Sequence, residues 1–315
     1  MKKQLLLLVM MLLPMMAMSD AVEIDGIYYN LTSEPQVAEV TYNPNKYTGS
    51  VVIPEKVVYD GNEYTVTAIG IQAFENCSGL SSITIPNSVT IIGDYAFWQC
   101  SVLTSITLSN SVEIIGNKVF SGCRALTSIS IPNSVTKIGD SAFAGCIGLK
   151  IVRIPNSVTT IEGYAFSGCS ALYSIIIPNS VISIGENAFF STALTDIVLG
   201  SGISCIKSRA FAYGNCLWDV YCYAEDVPFT DSDAFTMYET LHVPAASVQL
   251  YKESYPWSLF NNIVALTDED PKPTGIKTIE VTNKKEEIIY NLSGRMVEQL
   301  SKGLYFKNSK KYVVR

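Results

Sequence analysis

Five of the eight cysteines, Cys77, Cys100, Cys123, Cys146 and Cys169, recur at intervals of 23 residues, and thiols would be the most reactive groups such a spacing could align. Equal spacing puts them in one column. Stacked strands lie about 4.8 Å apart, inside the Cα window of a disulfide, but side chains pointing the same way hold their Cβ atoms farther apart than the roughly 3.8 Å that bond prefers. The spacing predicts buried free thiols acting as small apolar fillers. Cys205, Cys216 and Cys222 fall outside the period, and one disulfide among them is an open alternative. His242 is the single histidine and no C-x-x-C pair exists, so no metal-ligand set is present. Standing between Leu241 and Val243 on the last strand, it is expected to point outward.

Nucleophilic and phosphate chemistry find no support either. G-x-S-x-G, H-E-x-x-H, G-x-x-x-x-G-K-[ST] and G-x-G-x-x-G are all absent, and one histidine leaves the many serines without a base. No catalytic residue, cofactor or metal is predicted. Asn87, Asn110, Asn133, Asn156 and Asn179 form another column. Asn favours turns and satisfies turn backbones, so a structural ladder is expected there, with sugar recognition as the sharper alternative. Asp94, Asp140 and Glu186 occupy equivalent turns and read as solvated surface.

The element that must position all of these is a repeat, represented by residues 131–149, IPNSVTKIGDSAFAGCIGL. Its last apolar anchor falls at Phe74, Phe97, Phe120, Phe143, Phe166 and Phe189 at steps of 23, then at Phe211 and Phe235 at steps of 22 and 24. A period of 20 to 29 with an L-x-x-I-x-I core is the signature of a leucine-rich-repeat solenoid. In the unit around Ile129, Ile129 and Ile131 point inward from a short strand while Ser128 and Ser130 point out. Pro132 ends the strand, Val135 and Ile138 give a second inward pair, and Ala142-Phe143 begins a helical or 3₁₀ turn that closes the coil. About eight coils are expected, each stable only against its neighbours.

Both ends differ from the middle. Residues 20–65 read as an N-terminal β cap, with Asp60-Gly61 as a hairpin turn. Residues 66–244 hold the regular repeats. Residues 245–266 read as a C-terminal cap, in which a short amphipathic helix precedes Trp257, Phe260 and Ile263 packing over the last coil. Residues 267–275, TDEDPKPTG, are charged and proline-containing, so a linker is expected. Residues 276–315 show short strand patterns and read as a small separate β module. At the start, Lys2 and Lys3, an apolar run and Ala17-Met18-Ser19 read as a cleavable secretory signal over residues 1–19.

The 315 residues are 48% hydrophobic and 16% charged, with 22 basic against 29 acidic side chains. Removal of Lys2 and Lys3 leaves 20 against 29, or about −9. A chain this acidic is a poor ligand for nucleic acid, whose affinity comes chiefly from neutralised phosphates, and anionic membrane surfaces are disfavoured for the same reason.

The IPNSVTxIGxxAFxGCxxL unit resembles the BspA-like leucine-rich repeats of secreted and surface proteins of the Bacteroides group, over about residues 51–243. That resemblance implies a non-enzymatic secreted or cell-surface protein, in some cases an adhesin for host matrix proteins or other cells. The tail, with Ile289-Tyr290-Asn291-Leu292-Ser293-Gly294-Arg295, then Lys302-Gly303-Leu304-Tyr305-Phe306 and the basic end Lys310 to Arg315, resembles the sorting module of the type IX secretion system. It implies export to the exterior of the outer membrane.

Function is then sought where the copies disagree. One outward column runs Thr84, Thr107, Ser130, Arg153, Ile176, Val198, Tyr221, and its neighbour Ser82, Ser105, Ser128, Ile151, Ser174, Asp196, Asp219. Early rungs are small and polar; late ones carry Arg, Ile, Val, Tyr and Asp. Arg153, Ile176, Val198, Asp196, Trp218, Asp219, Tyr221 and Tyr223 are therefore the candidate partner-binding residues, with a protein partner favoured. A glycan stacked on Trp218, Tyr221 and Tyr223 is the alternative. A competing reading has this end covered by the C-terminal cap.

Overall fold

A computed structural model of the chain describes residues 21–214 and 217–273, together with the backbone of strands Ile289–Asn291, Gly303–Lys307 and Lys310–Val314. The expected signal segment and Cys216 lie outside the described residues. The chain divides into two units, Met1–Gly275 and Ile276–Arg315.

In the first unit each coil contributes one strand to a long parallel face made of three successive ladders. Its rungs include Thr48–Val52, Gly79–Thr84, Ser128–Ser130, Ile151–Arg153, Ser174–Ile177, Asp196–Leu199, Asp219–Cys222, Thr240–Val243 and Asn262–Ala265. Corresponding residues stand opposite one another, as in Ile129↔Val152, Ile197↔Val220 and Leu241↔Ile263, so inward aliphatic side chains stack on their counterparts. A second ladder of two-residue strands puts Ile115, Ile138, Ile161, Ile184 and Ile206 in one inward row.

The third backbone contact lies at the phenylalanine turn. Phe143 N donates to Ala165 O at 2.7 Å and Phe166 N to Ala188 O at 2.7 Å, and the pattern repeats from Phe74 to Phe211. The turn expected at Ala142-Phe143 is a run of tight turns, with Ala144 N bonded to Ser141 O and Cys146 N to Phe143 O. It does not lengthen into a helix because Ser141 (φ 53°) before the pair and Gly145 (φ 70°) after it are left-handed, which a right-handed helix excludes. The amides of Ser141, Phe143 and Gly145 are spent on the next coil, at the carbonyls of Gly163, Ala165 and Ser167.

The phenylalanine rings form a continuous stack. Seven successive centroid distances from Phe74 to Phe235 lie between 5.0 and 5.4 Å, with ring planes within 18° of parallel. Tyr47 continues the stack beyond Phe74, at 4.5 Å. This explains why the solenoid has about nine coils rather than eight: the N-terminal region supplies a coil of its own, with Tyr47 in the phenylalanine position and Thr48–Val52 as the first rung of the ladder. The Asp60-Gly61 hairpin pairs Tyr59 with Asn62 across two left-handed residues (φ 49° and 76°), as a two-residue I′ turn requires.

The other end is closed by the helix Val248–Glu253 and by Trp257 and Phe260, whose rings lie 5.5 and 5.6 Å from Phe235. The indole N–H of Trp257 donates to Pro228 O at 3.1 Å, so its one polar group is satisfied in the core. In the second unit, Gly303–Lys307 pairs antiparallel with both Ile289–Asn291 and Lys310–Val314. Lys307 stands opposite Lys310 and Gly303 opposite Val314 in the last two strands, and the turn expected at Asn308-Ser309 lies outside the described residues.

Candidate interaction surface

The reactive residues are spent on structure. The Sγ–H groups of Cys100, Cys123, Cys146 and Cys169 point at the carbonyl oxygens of Phe74, Phe97, Phe120 and Phe143 of the preceding coil, at 3.0 to 3.3 Å. These cysteines are free and buried. Burial pushes the thiols of Cys123 and Cys169 up to about 12 and raises Cys146 well above the ordinary value. Cys205 and Cys222 are also free, and Cys222 lies 3.3 Å from the Tyr251 hydroxyl with its thiol pushed up to about 11.

The polar columns bind coil to coil. Asn87 Oδ1 accepts from Asn110 N at 3.0 Å, and Asn179 Oδ1 from Ser201 N at 2.8 Å. Asp94 accepts twice from Asn117, and Asn117 Oδ1 accepts from Asp140 N. The Asp94 carboxylate is thus a member of a turn ladder, which Asp140 joins through its backbone amide while its carboxylate accepts from Ser141 Oγ. Among the described residues no group of three or more potential metal ligands occurs.

The outward face of the main ladder splits into two stretches. From Ser130 through Arg153 and Ile176 the rungs are open: Ile151 is 62% exposed, Tyr173 53% and Ile176 41%, while Trp218, just before the later strand that carries Tyr221, is 44% exposed. These side chains stand on a face whose earlier rungs, Thr84, Thr107 and Ser130, are small and exposed. Ile151 and Tyr173 were not among the sequence candidates. The first stands in the outward column of Ser128 and Ser174, but the second precedes its strand, where the repeat motif gives no direction for the side chain.

Two of the residues expected to make contact are buried. Val198 and Tyr221 are only 3% and 1% exposed. Tyr221 stacks on His242 at 4.3 Å with 23° between the planes. His242, expected to point outward, does leave the ladder on that side, but it is held: Nε2 lies 3.1 Å from Asp219 Oδ1, and Nδ1 3.9 Å from Asp270 Oδ2. Asp196 and Asp219 are half-buried, and Tyr223 is half-buried with its hydroxyl donating to Pro271 O at 3.0 Å.

The segment expected to be a linker lies against this end of the face, at Tyr223 and at the His242 ring that covers Tyr221. Residues 267–273 return over the last rungs instead of extending away. A turn closed by Asp270 Oδ2, which accepts from Thr267 N at 2.7 Å and Thr267 Oγ1 at 3.1 Å, reverses the chain, and Pro273 ends buried. Its charge and prolines favoured a linker on composition; the turn chemistry of Thr267 and Asp270 with an aromatic face beneath outweighs them.

A parallel ladder wound at 23-residue intervals, with invariant inward rows and a variable outward column, defines a leucine-rich-repeat solenoid. The repeats match the model of the BspA type leucine rich repeat region in six copies, over residues 61–170, 90–218 and 138–243, together more than half of the chain. The chain belongs to that family, a membership consistent with an interaction role. Among solved structures it is similar to a leucine-rich repeat protein from Bacteroides ovatus, at 28% identity over 79% of this chain and 77% of that one, TM-score 0.46. It is also similar to a leucine rich cell surface protein from Faecalibacterium prausnitzii, at 21% identity over 80% and 96%, TM-score 0.46. The third is the leucine rich repeat protein of T. pallidum, at 26% identity over 66% and 85%, TM-score 0.47. No curated protein matches the chain.

Proposed function

We propose that this is a secreted or cell-surface, adhesin-like interaction protein that binds a protein partner through the open stretch of its outward strand face, centred on Ile151, Arg153, Tyr173 and Ile176. The observation that carries the reading is a change along one face: after the first rung, where Val52 is exposed, the outward Thr84, Thr107 and Ser130 give way to several exposed aliphatic and aromatic side chains grouped beside an arginine. None of the stacking, turning or filling roles that explain the repeat calls for these residues to be apolar on their solvent side. Exposed aromatic and aliphatic anchors beside an arginine are the composition of interface hot spots. The leucine-rich-repeat scaffold is typically non-enzymatic, which agrees with a surface rather than a cleft as the working part.

The partner class proposed is a protein, host extracellular matrix or another cell surface being the kind the family resemblance suggests. A glycan-capturing role retains Trp218 as an exposed ring, while Tyr221 is buried and Tyr223 is engaged with Pro271. Export is proposed through the N-terminal signal, with residues 276–315 as a sorting module that engages the type IX secretion machinery. Among the described residues no helix is long and apolar enough to cross a membrane. Fractionation of cells expressing the full chain and a version ending at residue 275 tests the export proposal: the full chain should reach the surface or medium, and equal surface delivery of both would remove the role of the tail.

A further inference from the structure

Ile176, Val198 and Tyr221 are register partners on three successive coils, so the outward column keeps its apolar character from open rungs to covered ones. Only the cover changes. Over the later rungs lie residues 267–273: the Tyr223 hydroxyl donates to Pro271 O, the Lys272 ammonium sits 5.9 Å from the centroid of the Tyr223 ring, and Pro273 is buried. Asp270 approaches His242 from above while Asp219 holds that ring from its own ladder.

We infer that the last rungs of the strand face form a binding site for an extended proline- and lysine-containing segment of a partner protein, and that Pro271-Lys272-Pro273 fills this site in cis until it is displaced. The inference rests on the strand face being the interaction surface, and it names the partner chemistry and a regulation of that face. Three features select the ligand. Proline fixes φ, so an extended proline-containing segment loses little freedom on docking, and aromatic-lined grooves are the usual recognition surface for such segments. The Tyr223 hydroxyl accepts no role in the coil core and is aimed at a peptide carbonyl. The Lys272 ammonium, which also donates to Thr267 O at 3.1 Å, meets the face of the Tyr223 ring, where a cation is attracted by the ring quadrupole. The open side chains of Ile176, Tyr173 and Trp218 adjoin the covered rungs and give an incoming segment a first foothold. A tethered strap competes at an effective concentration of about millimolar, so a free segment gains access when the strap is loosened or when its own contacts extend onto the open rungs.

The test measures fluorescence anisotropy of a labelled peptide, TDEDPKPTG, on the full chain and on two strap variants, Asp270→Ala and the double change Pro271→Gly/Pro273→Gly. The first removes the turn at Thr267; the second removes the fixed backbone. Both should bind the peptide at least tenfold more tightly than the unaltered chain. Adding Tyr223→Phe to Asp270→Ala should reverse several-fold of that gain, and a peptide with glutamate for lysine should bind more weakly. Affinity in both strap variants within twofold of the unaltered chain overturns the inference, as does an equal gain for the glutamate peptide. If Ile151→Ser/Ile176→Ser abolishes protein capture while the strap variants show no gain, the interaction surface stands and the cis-occupied site falls. A gain in the strap variants without any effect of that double change on protein capture moves the partner site from the open rungs to the covered ones.

Discussion

Each cysteine of the column follows the phenylalanine of its own coil by three residues and fills space in the core. Cys100, Cys123, Cys146 and Cys169 donate to the phenylalanine carbonyl of the coil before, an oxygen that also accepts a turn amide of its own coil, while Cys77 accepts from Tyr47 N. This makes the thiols inert. With Cys123 and Cys169 pushed up to about 12 by burial, the nucleophilic thiolate is scarce at pH 8. Brief alkylation of the folded chain at that pH should label Cys205, which is half-buried, and spare Cys77, Cys100, Cys123, Cys146, Cys169 and Cys222; peptide mass mapping reads the result. The same shifts set an alkaline limit. In the unfolded chain a thiol ionises near pH 8.5 to 9, while in the fold the proton is kept to about 12, so above pH 9 the unfolded state binds fewer protons and stability falls as pH rises toward 12. Urea melts at pH 8 and pH 10.5 should show a lower midpoint at the higher pH. An unchanged midpoint would mean the column contributes no linkage.

The coil is the element in which these residues acquire meaning. Its inner positions are filled by the Leu, Ile, Val, Ala, Phe and Cys of the repeat, and the Phe143 ring lies between those of Phe120 and Phe166 at 5.3 and 5.1 Å. Phe143→Ala empties a place in the stack that no neighbouring side chain can reach without breaking its own register, and should cost about 3 to 5 kcal/mol, read from chemical denaturation. A loss below about 1 kcal/mol would show that the stack relaxes into the gap. Almost all of the coil was legible in the sequence, because a strict period turns one correctly read unit into all of them. The first coil was not: Tyr47 stands in the phenylalanine column without the surrounding motif, and only the 4.5 Å contact with Phe74 identifies it. Nor was the strap legible, since residues 267–273 have the composition of a linker. What holds them is a two-residue partnership, Thr267 with Asp270, and tertiary contacts with Tyr223 and His242 that no local pattern encodes. The candidate surface was half legible for the same reason: alternation along a strand told which side chains point out, and the strap decided which of those stay open.

At the scale of the whole molecule, capped ends and a repeated body leave the outward face as the part free to vary. The acidic balance, 29 acidic against 22 basic side chains, governs what that face meets. Retention on heparin or DNA columns at about 0.15 M salt should be negligible, and strong retention would contradict the exclusion of polyanions argued from charge. The central claim is that the open stretch of the strand face binds a protein partner. Its most direct measurement is capture on arrays of extracellular-matrix and cell-surface proteins and of glycans, comparing the full chain with the variant Ile151→Ser/Arg153→Ala/Ile176→Ser. All three side chains are exposed, so the fold should be kept, as a melting temperature within about 3 °C would verify. The account predicts that protein binding falls at least tenfold in the triple variant while any glycan signal is unchanged. Protein binding that survives the three changes intact would contradict it.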